Sequence, residues 1–598
     1  MKKINRKLFL KQAVGLGSFM VLNPLLSKGE NQAYLLDNES VTLDNVLYKR
    51  LIVANNKAVN NLIGTLSKDI TVLKRDLGFD FANLVAAFCT PESQHFQQAE
   101  LVLLMSKIMR FLLKEQKLDG TLDIGNVESP PDTAFILEPI CGAASILNKN
   151  PSKVLEQAKE LAKQFILRAG EALTVGGIHT PNHRWVISAA LAQINALYPH
   201  PKYVKRIDEW FSEGLFIDEE GHYHERSMIY AEVIDRSLIT ISRLLDRPAL
   251  LEAVRKNLSM TYFYLEPNGD LVTADSRRQD QFMVKNVLPF YLDYRYMASL
   301  DKNGEYAAIA QFIENVPNFD ETVLSQALFC FLEEPLLKKE LPAMRPLPNH
   351  YEQFFKKTNL VRIRRDKQTA TLFGGTDLPL IIGSGRSTNP NFFSFRKGEA
   401  ILKYMRLSSD FFSTGYFRSK GISKMGDTYI LHQKIEVPYY QPLPNDKKRT
   451  DGDYKLSQSI DGRFWNKMDF ENRPLSNVKV LESKITIGEK NGGYELNIAV
   501  WGTDNIDVTL EFCFNSGGQL SKMRTFDDQP DNFFLENGLG TYTVGRDTIT
   551  FGQGSFKHNK IKGIEGEMYT SHFGNLRTQG VHVFITGKTP FNQTVTLG

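Results

Sequence analysis

The sequence predicts an α+β protein built as an N-terminal (α/α) toroid followed by a C-terminal antiparallel β-sandwich. Apolar residues recur at three- and four-residue intervals from about residue 44 to 335, which is a helical period. After about residue 345 the chain changes to short runs rich in β-branched and aromatic residues, separated by Gly and Asn/Asp turns. At 598 residues it also exceeds the size at which a single hydrophobic core stops growing, so two large parts are expected.

At the N-terminus Lys2, Lys3, Arg6, Lys7 and Lys11 precede an apolar run from Ala13 to Leu26 that Gly15, Gly17, Asn23 and Pro24 interrupt. Too short and too broken to span a bilayer, this reads as an export signal over residues 1–30. The run from Asn5 to Lys11 is similar to a twin-arginine signal with Lys7 in place of the second Arg. No Cys follows the apolar run to carry a lipid anchor. A periplasmic or secreted protein without a membrane span is the expectation.

The helical part is read over 31–342. Its clearest apolar face is Leu101, Leu104, Met105, Ile108, Phe111 and Leu112, and similar faces recur in 154–167, 185–197, 203–211, 230–245 and 249–265. The breaks carry Pro or Gly, as at Pro130-Pro131, Gly176-Gly177, Pro199, Gly221 and Pro267-Asn268-Gly269. Helix, turn and helix repeated over this length suggest a toroid or solenoid, and no TPR, HEAT or ankyrin period is present. Pro342, Pro346 and Pro348 mark the boundary. Strands are expected over 359–363, 369–373, 392–395, 400–406, 494–500 and 508–514 within a β part of 343–598. Asn491-Gly492-Gly493, Asn515-Ser516-Gly517-Gly518 and Asn537-Gly538 supply turns, and strands without intervening helices point to antiparallel sheets.

The composition is 42% hydrophobic and 23% charged, which is ordinary globular material. A net charge of +4 without a basic stripe argues against a nucleic-acid partner. Cys89, Cys141, Cys330 and Cys513 are widely spaced among apolar neighbours, without metal-ligand spacing, and read as small buried hydrophobes. An oxidising compartment also leaves a disulfide open, which the sequence does not pair.

Two segments concentrate reactive polar side chains. The first runs from Gly177 to Trp185 and holds His179, Asn182, His183 and Arg184. The second runs from Asp218 to Tyr230 and holds His222, Tyr223, His224, Glu225, Arg226 and Ser227. Asn182 stands near an N-cap, and capping is its ordinary explanation. Capping does not explain His183 and Arg184 beside it. Glu225 also suits a helix start and Tyr230 also suits a core with its hydroxyl at the rim. His222 and His224 lack further ligands at a recognisable zinc spacing, so no metal site is assigned and no cofactor is required, although a structural divalent metal stays open. Arg277 and Arg278 in 275–280 can bind a sugar carboxylate or belong to a self-paired charge cluster. Pro130-Pro131-Asp132 looks like a helix start. Trp185, Tyr223 and Trp210 are aromatics that can stack on sugars, with core packing the alternative for Trp210.

Helices followed by strands, an Asn-His pair at Asn182-His183 opening one helix, and Asp218-x-x-Gly221 leading to Glu225-x-Ser227-x-x-Tyr230 at a later one together resemble the heparinase II/III-like polysaccharide lyases and their alginate-lyase relatives. The resemblance implies a toroid and a sandwich. It further implies an acidic polysaccharide or oligosaccharide substrate, Asn182 as carboxylate binder, His183 as charge neutraliser or base, and Tyr230 as acid, in some linkages also base. His179, Arg184, Tyr223, His224, Glu225, Arg226, Arg277 and Arg278 are then the expected substrate contacts. The chain departs from the family pattern at Ala231, where relatives commonly carry His. Residues 391–407, where many relatives have a His-rich strand, contain no His, leaving His432 or His572 as substitutes.

The chemistry suits these residue types. Removing the C5 proton of a uronate beside its own carboxylate requires donors or cations to stabilise the enediolate-like state, and Asn182, His183 and Arg184 can supply them. A proton acceptor and a donor for the departing O4 are also needed, roles His and Tyr fill. Arg226, four residues before Tyr230, is the expected cation for the phenol. Two other functions stay open. A glycoside hydrolase on a helical toroid needs a pair among Asp218, Glu225, Asp235 and Asp275, and a non-catalytic glycan-binding protein needs none of these roles.

Overall fold

The computed structural model describes residues 42–378, 385–526, 530–561 and 579–598. The expected export signal over 1–30 and His572 lie outside the described residues. The chain is mixed α plus β, with helices in its N-terminal half and sheets in its C-terminal half.

The helices are α1 (Asn45–Leu66), α2 (Asp76–Cys89), α3 (Ala99–Glu115), α4 (Pro130–Lys149), α5 (Glu156–Val175), α6 (His183–Leu197), α7 (Pro201–Phe211), α8 (Met228–Leu245), α9 (Leu251–Tyr264), α10 (Tyr291–Asp301) and α11 (Gly304–Glu314). Two short ones follow, α12 (Phe319–Thr322) and α13 (Leu328–Glu333). In the succession α2, α4, α6, α8 each helix packs on the next, and α3, α5 and α7 form a second succession. The first set is apolar around most of its circumference, as Phe81, Leu84, Val85 and Phe88 of α2 and Ile136, Leu137, Ile140 and Leu147 of α4 show, so it lies inside. Gly78 permits the α2 to α4 approach, since a Cβ there would lie 2.8 Å from the Ile136 carbonyl oxygen. Short two-stranded ribbons at 122–129 and 270–286 interrupt the helical pattern, which periodicity did not indicate.

The expected strands are present within a residue or three of their predicted ends. They fall into two sheets. In spatial order the nine-stranded sheet contains Arg524–Thr525, Asn532–Phe534, Val581–Lys588, Asp507–Phe514, Ala400–Ser409, Phe393–Lys397, Gln368–Phe373, Leu360–Arg365 and His350–Phe355. The eight-stranded sheet contains Ile422–Met425, Thr428–Tyr440, Leu475–Lys490, Gly493–Gly502, Phe591–Leu597, Asp547–Gly552, Leu539–Val544 and Gln519–Ser521. All pairings are antiparallel except that of Asn532–Phe534 with Val581–Lys588. One apolar cluster takes Ile363, Leu372, Phe395, Leu510 and Phe512 from the first sheet and Leu431, Ile485, Ile498, Phe551 and Val595 from the second. Asn491 and Gly492 both have positive φ, as a tight turn between Leu475–Lys490 and Gly493–Gly502 requires. Of the four cysteines, Cys141 and Cys513 are buried, Cys89 and Cys330 are half-buried, and all are free thiols.

The early strands of the nine-stranded sheet meet the helical half. Phe355, Leu360 and Phe373 belong to the helical core cluster. The buried Arg362 pairs with Glu266 at 2.9 Å and donates to the Phe263 carbonyl, while Arg396 reaches Asp270 at 3.2 Å. Buried charges of this kind persist only when paired. The junction is therefore specified by complementary ions as well as by apolar area.

Candidate active site

The two polar segments singled out in the sequence come together. Asn182 occupies the N-cap position of α6 but makes no capping bond with its side chain. Its backbone N–H and its Nδ2 both donate to Glu225 Oε2, at 3.2 and 2.8 Å, so capping does not account for this residue. Glu225 is buried, and its other oxygen accepts from Arg278 Nη1 at 2.7 Å. The Arg278 guanidinium lies 4.6 Å from the Tyr230 ring centroid, and its Nη2 is 3.4 Å from the Tyr230 hydroxyl. Gln279 Nε2 donates to the same hydroxyl at 3.0 Å. A continuous chain of contacts thus runs from Asn182 through Glu225 and Arg278 to Tyr230.

Local structure fixes the far end of that chain. Ser227 caps α8 by accepting from the Tyr230 N–H, and its hydroxyl donates to Asp280 Oδ2 at 2.9 Å. Asp280 also takes the Met228 N–H at 3.1 Å and the Ser276 hydroxyl at 2.5 Å. The loop carrying Arg278 and Gln279 is pinned against the start of the helix carrying Tyr230.

On the other side of Asn182, His183 opens α6 and is nearly buried. Its ring meets the edges of His179, at 4.7 Å between centroids, and Phe135, at 6.2 Å. Burial first, then His179, with Arg278 and Arg75 adding to the effect and Asp132 opposing it, push the imidazole down to about 4. His183 is therefore neutral at physiological pH. Arg75 stacks on Phe135 at 4.4 Å and pairs with Asp132, which also accepts from Ser129 at 2.6 Å and Asn126 at 3.0 Å. Burial raises the Asp132 carboxyl, and the bonds from Ser129, Asn126 and Arg75 outweigh that and hold it below the usual range. Pro130 does open α4, as the sequence indicated, but the cap is Ser129, and Asp132 forms an ion pair that the motif did not show. Asn182 Oδ1 and His183 Nδ1 are buried without a hydrogen-bond partner among the described residues. Each such orphan costs about 1–3 kcal/mol, an expense that binding and catalytic sites tolerate.

Arg184, Tyr223, Arg226 and Arg277, also expected as substrate contacts, are engaged with other partners. Arg184 pairs with Glu213 at 2.9 Å and stacks on Trp185. Tyr223 is buried and donates to Asp235 at 2.6 Å, so it belongs to the helical core, as does Trp185. Arg226 donates to the Lys357 carbonyl at 3.3 Å, and the cation over Tyr230 is Arg278 instead. Arg277 forms a two-pronged pair with Asp377 at 2.9 and 3.1 Å, the self-paired alternative for that residue. His224 is exposed against Phe216, with burial and Arg277 holding its imidazole below the usual range. His179 is exposed beside His183. His432 pairs with Glu482 on the eight-stranded sheet, the sheet that does not contribute to the helical core cluster.

Among the described residues, the one group close enough to hold a metal is Asp218, Glu220 and His222, and His224 is not part of it. Asp218 already accepts the Glu220 and His222 N–H groups, and Glu220 accepts those of Lys356 and Lys357 at 2.8 and 3.0 Å. His222 is buried against the Tyr264 hydroxyl at 2.8 Å. These protein contacts account for the cluster. Of the carboxylates the hydrolase alternative needs, Asp235 and Asp275 are fully buried, Glu225 is bonded to Asn182 and Arg278, and Asp218 accepts from the Glu220 and His222 N–H groups.

No family model and no curated protein matches this sequence. Solved structures do. Heparinase III superposes with a TM-score of 0.51 at 11% identity, covering 87% of this chain and 75% of that one. A Paenibacillus xanthan lyase gives 0.53 at 9% identity, covering 92% of this chain and 57% of that one. The Streptomyces coelicolor A3 chondroitin AC lyase, in complex with chondroitin sulphate, gives 0.50 at 11% identity, covering 92% and 76%. The chain has the fold of these polysaccharide lyases, which bears out the family resemblance at the level of fold.

Proposed function

We propose that the protein is a polysaccharide or oligosaccharide lyase that cleaves a uronic-acid-containing glycan by β-elimination and leaves a 4,5-unsaturated uronate. The observation that carries this is the joining of Asn182 and Tyr230 through one Glu225–Arg278 ion pair, with His183 next to Asn182 at the start of α6, in a fold shared with polysaccharide lyases. In this reading the succession α2, α4, α6, α8 is the inner layer of a toroid, and the sheets sharing one apolar cluster are a sandwich. Export to the periplasm or beyond belongs to the same proposal, since such polymers lie outside the cell.

In this reading the Asn182 amide exchanges its bond to Glu225 for one to the substrate carboxylate and, with Arg278 beside it, lowers the barrier to the C5 carbanion. His183, uncharged, accepts the C5 proton. Its basicity is low in the empty site, and the incoming carboxylate raises it by setting negative charge beside the ring. The C5–H electrons form the C4=C5 bond as the C4–O4 bond breaks, and the Tyr230 hydroxyl, held by Gln279 and Arg278, protonates O4.

The test is the ultraviolet absorbance of unsaturated uronate with heparin-like, chondroitin-like, alginate and plant-gum glucuronate substrates. Tyr230→Phe is expected to keep its fold and lose at least about 100-fold in rate, the scale of one general acid. Reducing ends without absorbance would move the assignment to hydrolysis. Binding that survives Asn182→Ala and Tyr230→Phe without turnover would make this a glycan-binding protein.

A further inference from the structure

Resting on the lyase reading, we propose that Asp377, in the β half of the chain, is a positioning residue of this site: it holds Arg277 and thereby sets Arg278 and Gln279 against Tyr230. Asp377 follows the strand Gln368–Phe373 and is the partner of Arg277 through both carboxylate oxygens. Its own place is fixed by the Ser387 N–H, which donates to Oδ2 at 2.8 Å, and by its N–H, which donates to the Ser387 carbonyl at 2.9 Å. Arg277 is correspondingly held from the helical side. Its N–H donates to the Glu225 carbonyl at 3.0 Å and its Nη1 to the His224 carbonyl at 3.2 Å. Gly385 donates its N–H to the Arg277 carbonyl, and Asn389 Nδ2 donates to that of Gln281 at 2.9 Å.

The segment is thus gripped at two points. Asp280 ties one end to the start of α8 through Ser227 and Met228. Asp377 ties the other end to the β half through Arg277. Arg278 and Gln279 are the two residues between the grips, and both point their donors at the Tyr230 hydroxyl. Arg277 also holds the main chain of Glu225, whose carboxylate organises Asn182. Releasing Asp377 therefore loosens both ends of the chain from Asn182 to Tyr230 without touching a group that meets substrate. A bidentate guanidinium–carboxylate pair sets orientation as well as distance, which is what this arrangement needs.

Asp377→Asn, Arg278→Gln and the double variant are compared in the full-length protein. Asp377→Asn is expected to lower kcat roughly 10–100-fold with a smaller change in KM, the scale of a misplaced catalytic group. The double variant is expected to fall short of the product of the two single losses, because Asp377 acts in part through Arg278. The swap Arg277→Asp with Asp377→Arg is expected to recover part of the rate. Hydrogen exchange across 275–281 is measured on the same proteins, needs no substrate, and is expected to quicken in Asp377→Asn. Additive losses in the double variant, or unchanged exchange, overturn the proposal. A wild type that forms no unsaturated uronate sinks the lyase reading, while exchange still decides the clamp. Should Asp377→Asn fail to fold, Asp377→Glu, which keeps the charge and moves it by one methylene, carries the same comparison.

Discussion

The neutrality of His183 has a thermodynamic signature that can be measured without any substrate. Folding takes this imidazole from an ordinary 6.5 to about 4, because the ring is buried and sits beside His179, Arg278 and Arg75. Between those two values the unfolded chain binds a proton that the folded protein refuses. Stability contributed by this site is therefore intact above about pH 6.5 and is lost as pH falls toward 4. The gap of about 2.5 units, at about 1.4 kcal/mol per unit, amounts to about 3 kcal/mol over the full window. Urea unfolding of wild type and His183→Gln at pH 8 and pH 4.5 isolates the effect, since glutamine does not titrate and other groups act alike in both proteins. Wild type is expected to lose about 2–3 kcal/mol more than the variant on acidification. Parallel losses, or a His183 ring proton titrating near 6.5 by NMR, would show that the ring is solvated and refute the argument.

Two further outcomes follow from the packing. In Glu225→Gln three donors, the Asn182 N–H and Nδ2 and Arg278 Nη1, converge on a group with a single acceptor oxygen, and Arg278 loses its counter-charge. A loss of about 2–4 kcal/mol is expected by urea unfolding, with Arg278's partial exposure tempering the cost of a fully buried pair. Gly78→Ala drives a methyl group into the Ile136 carbonyl and Pro139, at 2.8 and 2.9 Å, and is expected to lower stability by about 1–3 kcal/mol in thermal unfolding. Unchanged stability there would mean that α2 and α4 are free to separate.

The helices and strands were legible because their signals are local: a 3.6-residue period in α3 or α6, and a period of two between turns in Gly493–Gly502. Residues at or just before a helix start escape those periods, and the site is built largely from such residues. Arg226 shows how this misleads. Its spacing of four from Tyr230 promises a shared helical face, but Arg226 has a φ of 52° and precedes the Ser227 cap, so the four-residue rule does not apply to it. Arg226 turns instead to Lys357 in the β half. The guanidinium that reaches Tyr230 comes from 48 residues further along, a separation at which sequence carries no geometry. Tyr223 misled in the same way: its loop does not alternate like a strand, so His222 and Tyr223 are both buried and Tyr223 reaches Asp235 of α8.

What the sequence could not show was therefore pairing, and in this site pairing defines what each group does. Asn182 without Glu225 would be an N-cap. Glu225 without Arg278 would be an unpaired buried carboxylate, which folding does not tolerate. Arg75 carried no local signal, because its contacts with Phe135 and Asp132 join α4 to the turn before α2. Asp377 carried none either, because its partner is 100 residues away in the other half of the chain. The residue types at the two helix starts were readable as chemistry, and the ion pairs that give them direction are formed only when α6, α8, the 275–280 loop and the sheet are brought to one junction.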